Sequence, residues 1–189
     1  MKIKLVILLL FSISAFKNIN AQNYSIKTNI LGDITTSINI GAETKLSSKS
    51  SVELVSSINL WEFSKDKKIK HLLLQPAIRY WMCEYRNGAF CGVHLHWAHF
   101  NAGGVKLPLR LFPNLEESRY QGNLFGGGLS IGYSWMISKS FDIETELGLG
   151  YARIIYDKYP CRHCSLKSYS GKYNYWGATK IAVRLVYSF

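Results

Sequence analysis

The stretch Ile181-Ala182-Val183-Arg184-Leu185-Val186-Tyr187-Ser188-Phe189 alternates apolar residues with small or polar ones at the end of the chain. Successive side chains of a β-strand point to opposite faces. The residues that share the apolar face are then Ile181, Val183, Leu185, Tyr187 and Phe189. Arg184 and Ser188 fall on the other face. This pattern is typical of a strand in a membrane-spanning β-barrel, and the aromatic residues Tyr187 and Phe189 are predicted to form an assembly signal for the barrel-assembly machinery.

The beginning of the chain has the residue order of an export signal. Lys2 and Lys4 precede the apolar stretch 5–16, and small or polar residues follow as far as Ala21. A charged, then apolar, then small-residue order predicts a cleaved signal peptide. We therefore expect a signal peptide over residues 1–21, a mature domain over 22–189, and a location in the cell outer membrane.

Composition favours strands and a basic protein. The chain has 15 glycines, 12 tyrosines, 5 tryptophans and 4 prolines, and its formal net charge is +11. After the signal peptide no apolar run approaches the ~18 residues of a spanning helix. Membrane insertion therefore requires a closed barrel, because an open sheet leaves backbone groups unpaired in hydrocarbon. A soluble sandwich or a lipocalin-like barrel is the alternative.

Alternation and turn residues together predict an all-β chain, an eight-stranded antiparallel up-and-down transmembrane β-barrel. The predicted strands cover residues 24–31, 37–45, 51–60, 70–82, 89–100, 122–136, 141–155 and 174–189. Short connections alternate with long ones, as expected where short turns face the periplasm and long loops face outside. The first connection, 32–36, is short, and Asp33 is a candidate cap for one helical turn there.

The face opposite the apolar one carries many charges. The predicted interior polar network consists of Lys27, Glu43, Glu53, Arg79, His94, His96, Asp142, Glu144, Glu146 and Arg184. Asp142, Glu144 and Glu146 alternate on one strand and require cations beside them, for which Arg79 and Arg184 are the natural partners. An eight-stranded barrel is just wide enough for its interior side chains, so a salt-bridged plug is the expected result and ion conduction the alternative.

His94 and His96 share one face of a strand, whereas His99 has the opposite parity. Together with Glu43 or Glu53 the first two are candidate ligands of a transition metal, and hydrogen bonding to interior acids explains them equally well. Catalysis requires a nucleophile, a base and an orienting acid, and no motif supplies them. We expect no metal, no cofactor and no catalytic residue.

The cysteines of an exported chain are expected in disulfides. Cys161 and Cys164 lie in one loop and are predicted to form a small disulfide ring. Cys83 and Cys91 flank a turn, and the sequence leaves open whether they pair or stay as thiols. The glycines at 126–128, 132, 148 and 150 are predicted to make room for bulky neighbours rather than to bind phosphate, since no strand-to-helix turn precedes them.

Two predicted long loops, 61–70 and 156–173, are rich in lysine and aromatic residues. Such a basic rim suits anionic outer-membrane lipid, surface glycans or an acidic protein partner. A solvated rim anchored in lipid headgroups is the alternative, and nucleic acid is disfavoured by the predicted location.

Several motifs resemble an uncharacterised exported family of Bacteroidetes, domain of unknown function 3575. They are Lys27-Thr28-Asn29-Ile30-Leu31, Gln75-Pro76 with Arg79-Tyr80-Trp81 and Cys83-Glu84, Asn87-Gly88 with Phe90, Gly92, His94 and His96, Gly148 with Gly150-Tyr151-Ala152-Arg153, and Tyr173-Asn174-Tyr175-Trp176-Gly177 with Thr179-Lys180. The resemblance implies an outer-membrane barrel, often encoded beside surface fimbria components, without established catalytic residues. The expected function is therefore structural or partner-docking, and the alternative is a lipid-modifying enzyme or a small-molecule binder.

Overall fold

Eight antiparallel strands pair in chain order, and the last returns to the first. The computed structural model describes residues 23–63, 67–104, 115, 118–160 and 167–189. The elements are β1 (Tyr24–Asn29), α1 (Ile30–Ile34), β2 (Ile38–Lys45), β3 (Ser50–Asn59), β4 (Glu62–Phe63), β5 (Lys67–Trp81), β6 (Gly88–Gly103), β7 (Arg119–Met136), β8 (Phe141–Tyr159) and β9 (Tyr169–Ser188). Pairing of β3 with β5 and of β9 with β1 closes the ring, and the short β4 pairs with β5. The predicted all-β class and the eight antiparallel strands are confirmed.

The two ends of the ring differ. The connections 46–49, 82–87 and 137–140 are tight turns at one end, where β1 begins and β9 ends; we call it the turn end. The opposite end, which we call the loop end, carries α1, β4 and the connections from β6 to β7 and from β8 to β9. The signal peptide predicted over residues 1–21, Cys161 and Cys164 lie outside the described residues. The two predicted long loops are shorter than expected, because β5 already begins at Lys67, β8 extends to Tyr159 and β9 begins at Tyr169.

The first loop-end connection contains α1, but its cap differs from the one predicted. Asn29 is the residue before the helix, and its side-chain oxygen accepts a hydrogen bond from the Leu31 backbone N–H at 3.3 Å. Asp33 lies inside the helix instead, where its carboxylate accepts a hydrogen bond from the Asn39 side chain at 3.0 Å. Asn39 also donates to the Asn29 carbonyl at 3.0 Å and so ties β1 to β2. No helix in the described part of the chain is long and apolar enough to cross a membrane.

Period-two alternation separates the lumen of the ring from its exterior. On β8, Asp142, Glu144 and Glu146 are buried while Phe141 and Leu147 are exposed. The alternation slips once, between Gly148 and Leu149, where β9 carries an extra residue. Side chains below and above this bulge on β9 therefore follow opposite parities.

Several lumen positions are glycine because a neighbour fills the space. A Cβ at Gly132 would lie 2.3 Å from the Phe90 ring, and one at Gly148 would lie 2.8 Å from the His94 ring. Gly126 is opposed by His96 in the same way. The small residues of β7 and β8 thus admit the large side chains of β6.

Candidate functional site

The lumen near the turn end holds ten buried charges. We call them the charge network: Lys27, Glu43, Glu53, Arg79, Arg86, Asp142, Glu144, Glu146, Lys180 and Arg184. Each is at most 5% exposed. The set contains equal numbers of acids and bases, so the network is formally neutral although the chain as a whole is basic. Neutrality matters because an uncompensated buried charge is strongly destabilising.

Arg79 of β5 lies at the centre of the network. Its Nη1 is 3.0 Å from a Glu144 carboxylate oxygen and its Nη2 is 2.6 Å from one of Glu146. The same guanidinium also pairs with Glu53. The planar guanidinium holds its N–H donors in fixed directions, so it can pair with several carboxylates better than a lysine ammonium group can. Arg79 therefore joins β5 to β8 across the lumen.

Lys27 of β1 holds the acids of the neighbouring strands. Its Nζ is 2.5 Å from Glu43 and 2.8 Å from Glu144. Ser51 donates a further hydrogen bond to Glu43 at 2.5 Å. Because Glu144 lies on β8 and β9 runs between β8 and β1, the Lys27–Glu144 pair spans the strand that closes the ring.

Two members of the network are absent from the set predicted from sequence. Lys180 of β9 lies 2.9 Å from Glu53 and 3.0 Å from Glu146. Lys180 lies an even number of positions from Ala182 and Arg184, so the alternation along β9 predicts that its side chain also faces the lumen. Arg86 lies in the β5–β6 turn with a positive φ of 71°, and its Nε is 2.7 Å from Asp142. No periodicity indicates where a turn side chain points.

Aromatic side chains close the lumen below the network at the turn end. Trp81 is fully buried, with its ring centroid 5.7 Å from that of Tyr85 and 4.7 Å from that of Phe90. The Trp81 indole N–H donates to Ser51 at 3.0 Å. Burial raises the pKa of the Tyr85 hydroxyl, and the Glu43 carboxylate raises it further. This aromatic cluster and the charge network together occupy the turn-end half of the lumen.

His94 and His96 lie above the network and are buried, with ring centroids 5.8 Å apart. His94 Nε2 hydrogen-bonds the Thr179 hydroxyl at 2.9 Å, so the histidine contacts a residue of the β9 bulge. His99 is exposed on the outer face and hydrogen-bonds Asn123 at 2.9 Å. Among the described residues, no group of three or more His, Cys, Asp or Glu is arranged to hold a metal ion.

Thr179 supplies the hydroxyl that hydrogen-bonds His94. Ser130 and Ser134 are buried, and neither hydroxyl has a hydrogen-bond partner. His94 Nδ1 is also without a partner, so no acid orients the imidazole toward Thr179. The third group that an activated nucleophile requires is therefore missing from this His–Thr pair.

Apolar side chains gather inside the ring at the loop end. Ala102, Leu115 and Tyr120 are buried together, with Phe100 and Tyr156 packed against them. The Gly104 backbone N–H donates to the Leu115 carbonyl at 2.8 Å. The loop end of the lumen thus has an apolar cluster on the side of β6 to β8, whereas polar residues such as Asn39 and Asn59 are buried on the side of β2 and β3.

The outer surface of the ring is apolar, in contrast to its charged lumen. Exposed aliphatic residues from all eight strands form what we call the outward belt: Ile26, Ile38, Ile40, Leu54, Ile58, Leu74, Ile78, Val93, Leu95, Leu129, Ile131, Leu147, Leu149, Ile181 and Leu185. Neither the belt nor the same-face positions between its members carry Asp, Glu, Lys or Arg. A contiguous exposed apolar surface drawn from every strand of the ring is unusual for a soluble monomer.

Aromatic residues border the outward belt on both sides. The turn-side aromatic row consists of Tyr24, Tyr80, Tyr133, Trp135, Phe141 and Tyr187, and the loop-side aromatic row consists of Trp97, Phe125, Tyr151 and Trp176. On β7, Tyr133 of the turn-side row and Phe125 of the loop-side row lie eight positions apart. A rise of ~3.4 Å per residue and a strand tilt of ~40° place them roughly 20 Å apart along the ring axis.

The structure decides the state of Cys83 and Cys91, which the sequence leaves open. Cys83 and Cys91 are both free thiols. The cross-strand partner of Cys91 is Tyr80, so the register does not bring Cys91 opposite Cys83, which lies three residues farther along in the turn.

A family model described as "Protein of unknown function (DUF3575)" matches residues 5–189. The chain belongs to the DUF3575 family. The match covers every described strand, which confirms the family resemblance carried by the motifs of β5, β6, β8 and β9. Neither the curated proteins nor the solved structures contain a match to this DUF3575 chain.

Proposed function

We propose that this protein is a non-enzymatic outer-membrane β-barrel whose loop end docks a partner at the cell surface. The observation that carries the proposal is the outward belt, which has no charged residue while the lumen holds ten. Transmembrane barrels have an apolar exterior band of ~25 Å between aromatic girdles and a polar interior. A soluble β-domain buries its apolar face and exposes its charges. The arrangement in this ring favours lipid outside.

The lumen supports a structural role rather than catalysis. Its charged groups are paired with one another at distances of up to 3.8 Å, and the buried His94, which contacts the half-buried Thr179, has no orienting acid. The charged groups of the network are thus engaged with one another. The proposed partner class is a surface protein, and the family resemblance suggests a fimbrial component as the first to test.

We expect the protein to fractionate with the outer membrane and to shift in gel mobility on heating. A closed barrel kept unboiled in detergent stays folded and migrates differently from the denatured chain, because its strand pairing has no free edge to start unfolding. The measurement is electrophoresis of outer-membrane extracts with and without boiling. A protein found in the soluble periplasmic fraction without a heat shift would contradict the membrane proposal and leave a lipocalin-like protein.

The docking role requires the loop end to face outside the cell. Ser168, exposed beside β9 at the loop end, and Cys83, exposed at the turn end, provide matched positions for thiol labelling. In a Cys161→Ser/Cys164→Ser background, we expect a membrane-impermeant maleimide to label Ser168→Cys in intact cells. The same reagent should label Cys83 only after the outer membrane is permeabilised. The opposite accessibility of the two positions would contradict a surface-facing loop end.

A further inference from the structure

Two outward-facing cations lie directly above the loop-side aromatic row. Arg153 of β8 is paired with Asn174 of β9, and Lys172 is paired with Ile155 on the same two strands. Both cationic side chains are exposed. Their positions are diagonal neighbours on one face of the sheet, which lie ~7–8 Å apart, with the Cβ atoms somewhat closer. Both long side chains can therefore reach one anion between them.

Neither cation is neutralised within the described part of the chain. Arg153 and Lys172 form no ion pair there, in contrast to the lumen cations. The nearest acid on this face, Asp157, already accepts a hydrogen bond from Ser170 at 2.7 Å and lies 3.4 Å from Lys167. The Ser170 hydrogen bond, followed by Lys167, lowers the pKa of this carboxyl. Asp157 thus stays ionised beside other partners, and the pair remains available to an external anion.

The level of the pair on the ring indicates where that anion comes from. Immediately below it, Tyr151 and Trp176 pack with ring centroids 5.0 Å apart, and Tyr151 donates to Asn174 at 2.9 Å. Trp176 is 77% exposed. Tyrosine and tryptophan at the border of an apolar band lie at the level of lipid headgroups. Cations one row farther out then lie at the level of headgroup phosphates.

We propose that Arg153 and Lys172 bind the phosphate of an outer-leaflet glycolipid headgroup, with the Tyr151–Trp176 pair packed against the same lipid. This inference rests on the proposed outer-membrane location. Charge-assisted hydrogen bonds from arginine and lysine to phosphate are the strong class of such contacts. The apolar belt below the pair accommodates the acyl chains of the same molecule, so the surface fits a lipid better than a free phosphate.

The test is native mass spectrometry of the full-length protein extracted from outer membranes and titrated with bis-phosphorylated lipid A. The variant is Arg153→Gln/Lys172→Gln. The matched control is Lys49→Gln/Lys139→Gln, which removes the same charge from exposed turn-end positions. Each basic residue near an anionic surface contributes enough that we expect about a tenfold or greater loss of lipid affinity in the variant and no loss in the control.

Two further probes decide the source of the anion. Dephosphorylated lipid A should bind the wild-type protein no better than it binds the variant, and inorganic phosphate in excess should not displace the phosphorylated lipid. Equal binding of both lipids, equal loss in the control variant, or displacement by inorganic phosphate would overturn the proposal. Fractionation and heat shift are read on the same preparations, so a failure of the membrane location is distinguishable from a failure of this site.

Discussion

Replacing Arg79 by methionine is expected to remove about 3–5 kcal/mol from the free energy of unfolding, the typical cost of leaving a buried charge unpaired. Arg79 is fully buried and contacts Glu144 at 3.0 Å and Glu146 at 2.6 Å. Its loss leaves one more acid than bases in the lumen. The measurement is urea-induced unfolding of the protein in phospholipid vesicles. The folded fraction at each urea concentration is the fraction of protein that migrates fast on a gel when the sample is not boiled.

Two variants separate charge balance from the loss of a large side chain. Lys139→Met removes a long cationic side chain from an exposed turn, where no described carboxylate pairs with it, and should change the free energy of unfolding by no more than ~0.5 kcal/mol. Adding Glu146→Gln to Arg79→Met restores neutrality. Lys180 and Arg184 then still contact Glu53, at 2.9 and 3.7 Å, so we expect part of the stability to return. An Arg79→Met protein as stable as the wild type would contradict the role of the network.

The strands were predictable from sequence because one periodicity governs them. Every strand of the ring was anticipated, and the errors concentrate at the loop end, where β9 begins at Tyr169 rather than 174 and β8 extends to Tyr159 rather than 155. Above the loop-side aromatic row the outward residues become polar, as at Asn174 and Lys172. Alternation between apolar and polar residues then fades although the backbone pairing continues.

Parity predicts which face a side chain occupies but not what it contacts. Parity placed Glu144 and Arg184 on the lumen face. Which residues they pair with depends on how the eight strands curve around a common axis. Parity also fails where the backbone is irregular. Arg86 points inward from a turn with positive φ, whereas Lys180 keeps the parity of Arg184 and is missing from the predicted set although the alternation identifies it. The neutrality of the network becomes visible only when these two cations are included.

The second large effect on stability is expected from a substitution on the outer face of the ring. Leu129 lies at the middle of the outward belt, four residues from Tyr133 in one aromatic row and four from Phe125 in the other. Its neighbours across β6 and β8 are Val93 and Leu149. Under the proposed outer-membrane location, Leu129→Arg should cost ~2–4 kcal/mol in the free energy of folding into a bilayer, as for arginine at the midplane of transmembrane barrels. Unfolding in vesicles measures the difference from wild type.

Asn123→Arg is the matched control on the same strand. Asn123 faces outward beyond the loop-side aromatic row, and an arginine near the membrane interface costs only ~0–1 kcal/mol. If water surrounds the ring instead, both substitutions should lie within ~0.5 kcal/mol of wild type. Equal small effects at the two positions would therefore contradict membrane insertion, whatever the fractionation shows.

Leu129 is suited to this test because its side chain is 68% exposed. An arginine there meets open space rather than a packed neighbour, and the backbone stays in its regular strand. An arginine at the adjacent buried Ser130 would overfill the lumen whether water or lipid surrounded the ring. A substitution at the outward-facing position 129 avoids that effect. The depth dependence between positions 129 and 123 thus reports the polarity of the medium around the ring, which is the one property that separates a transmembrane barrel from a soluble one with the same strands.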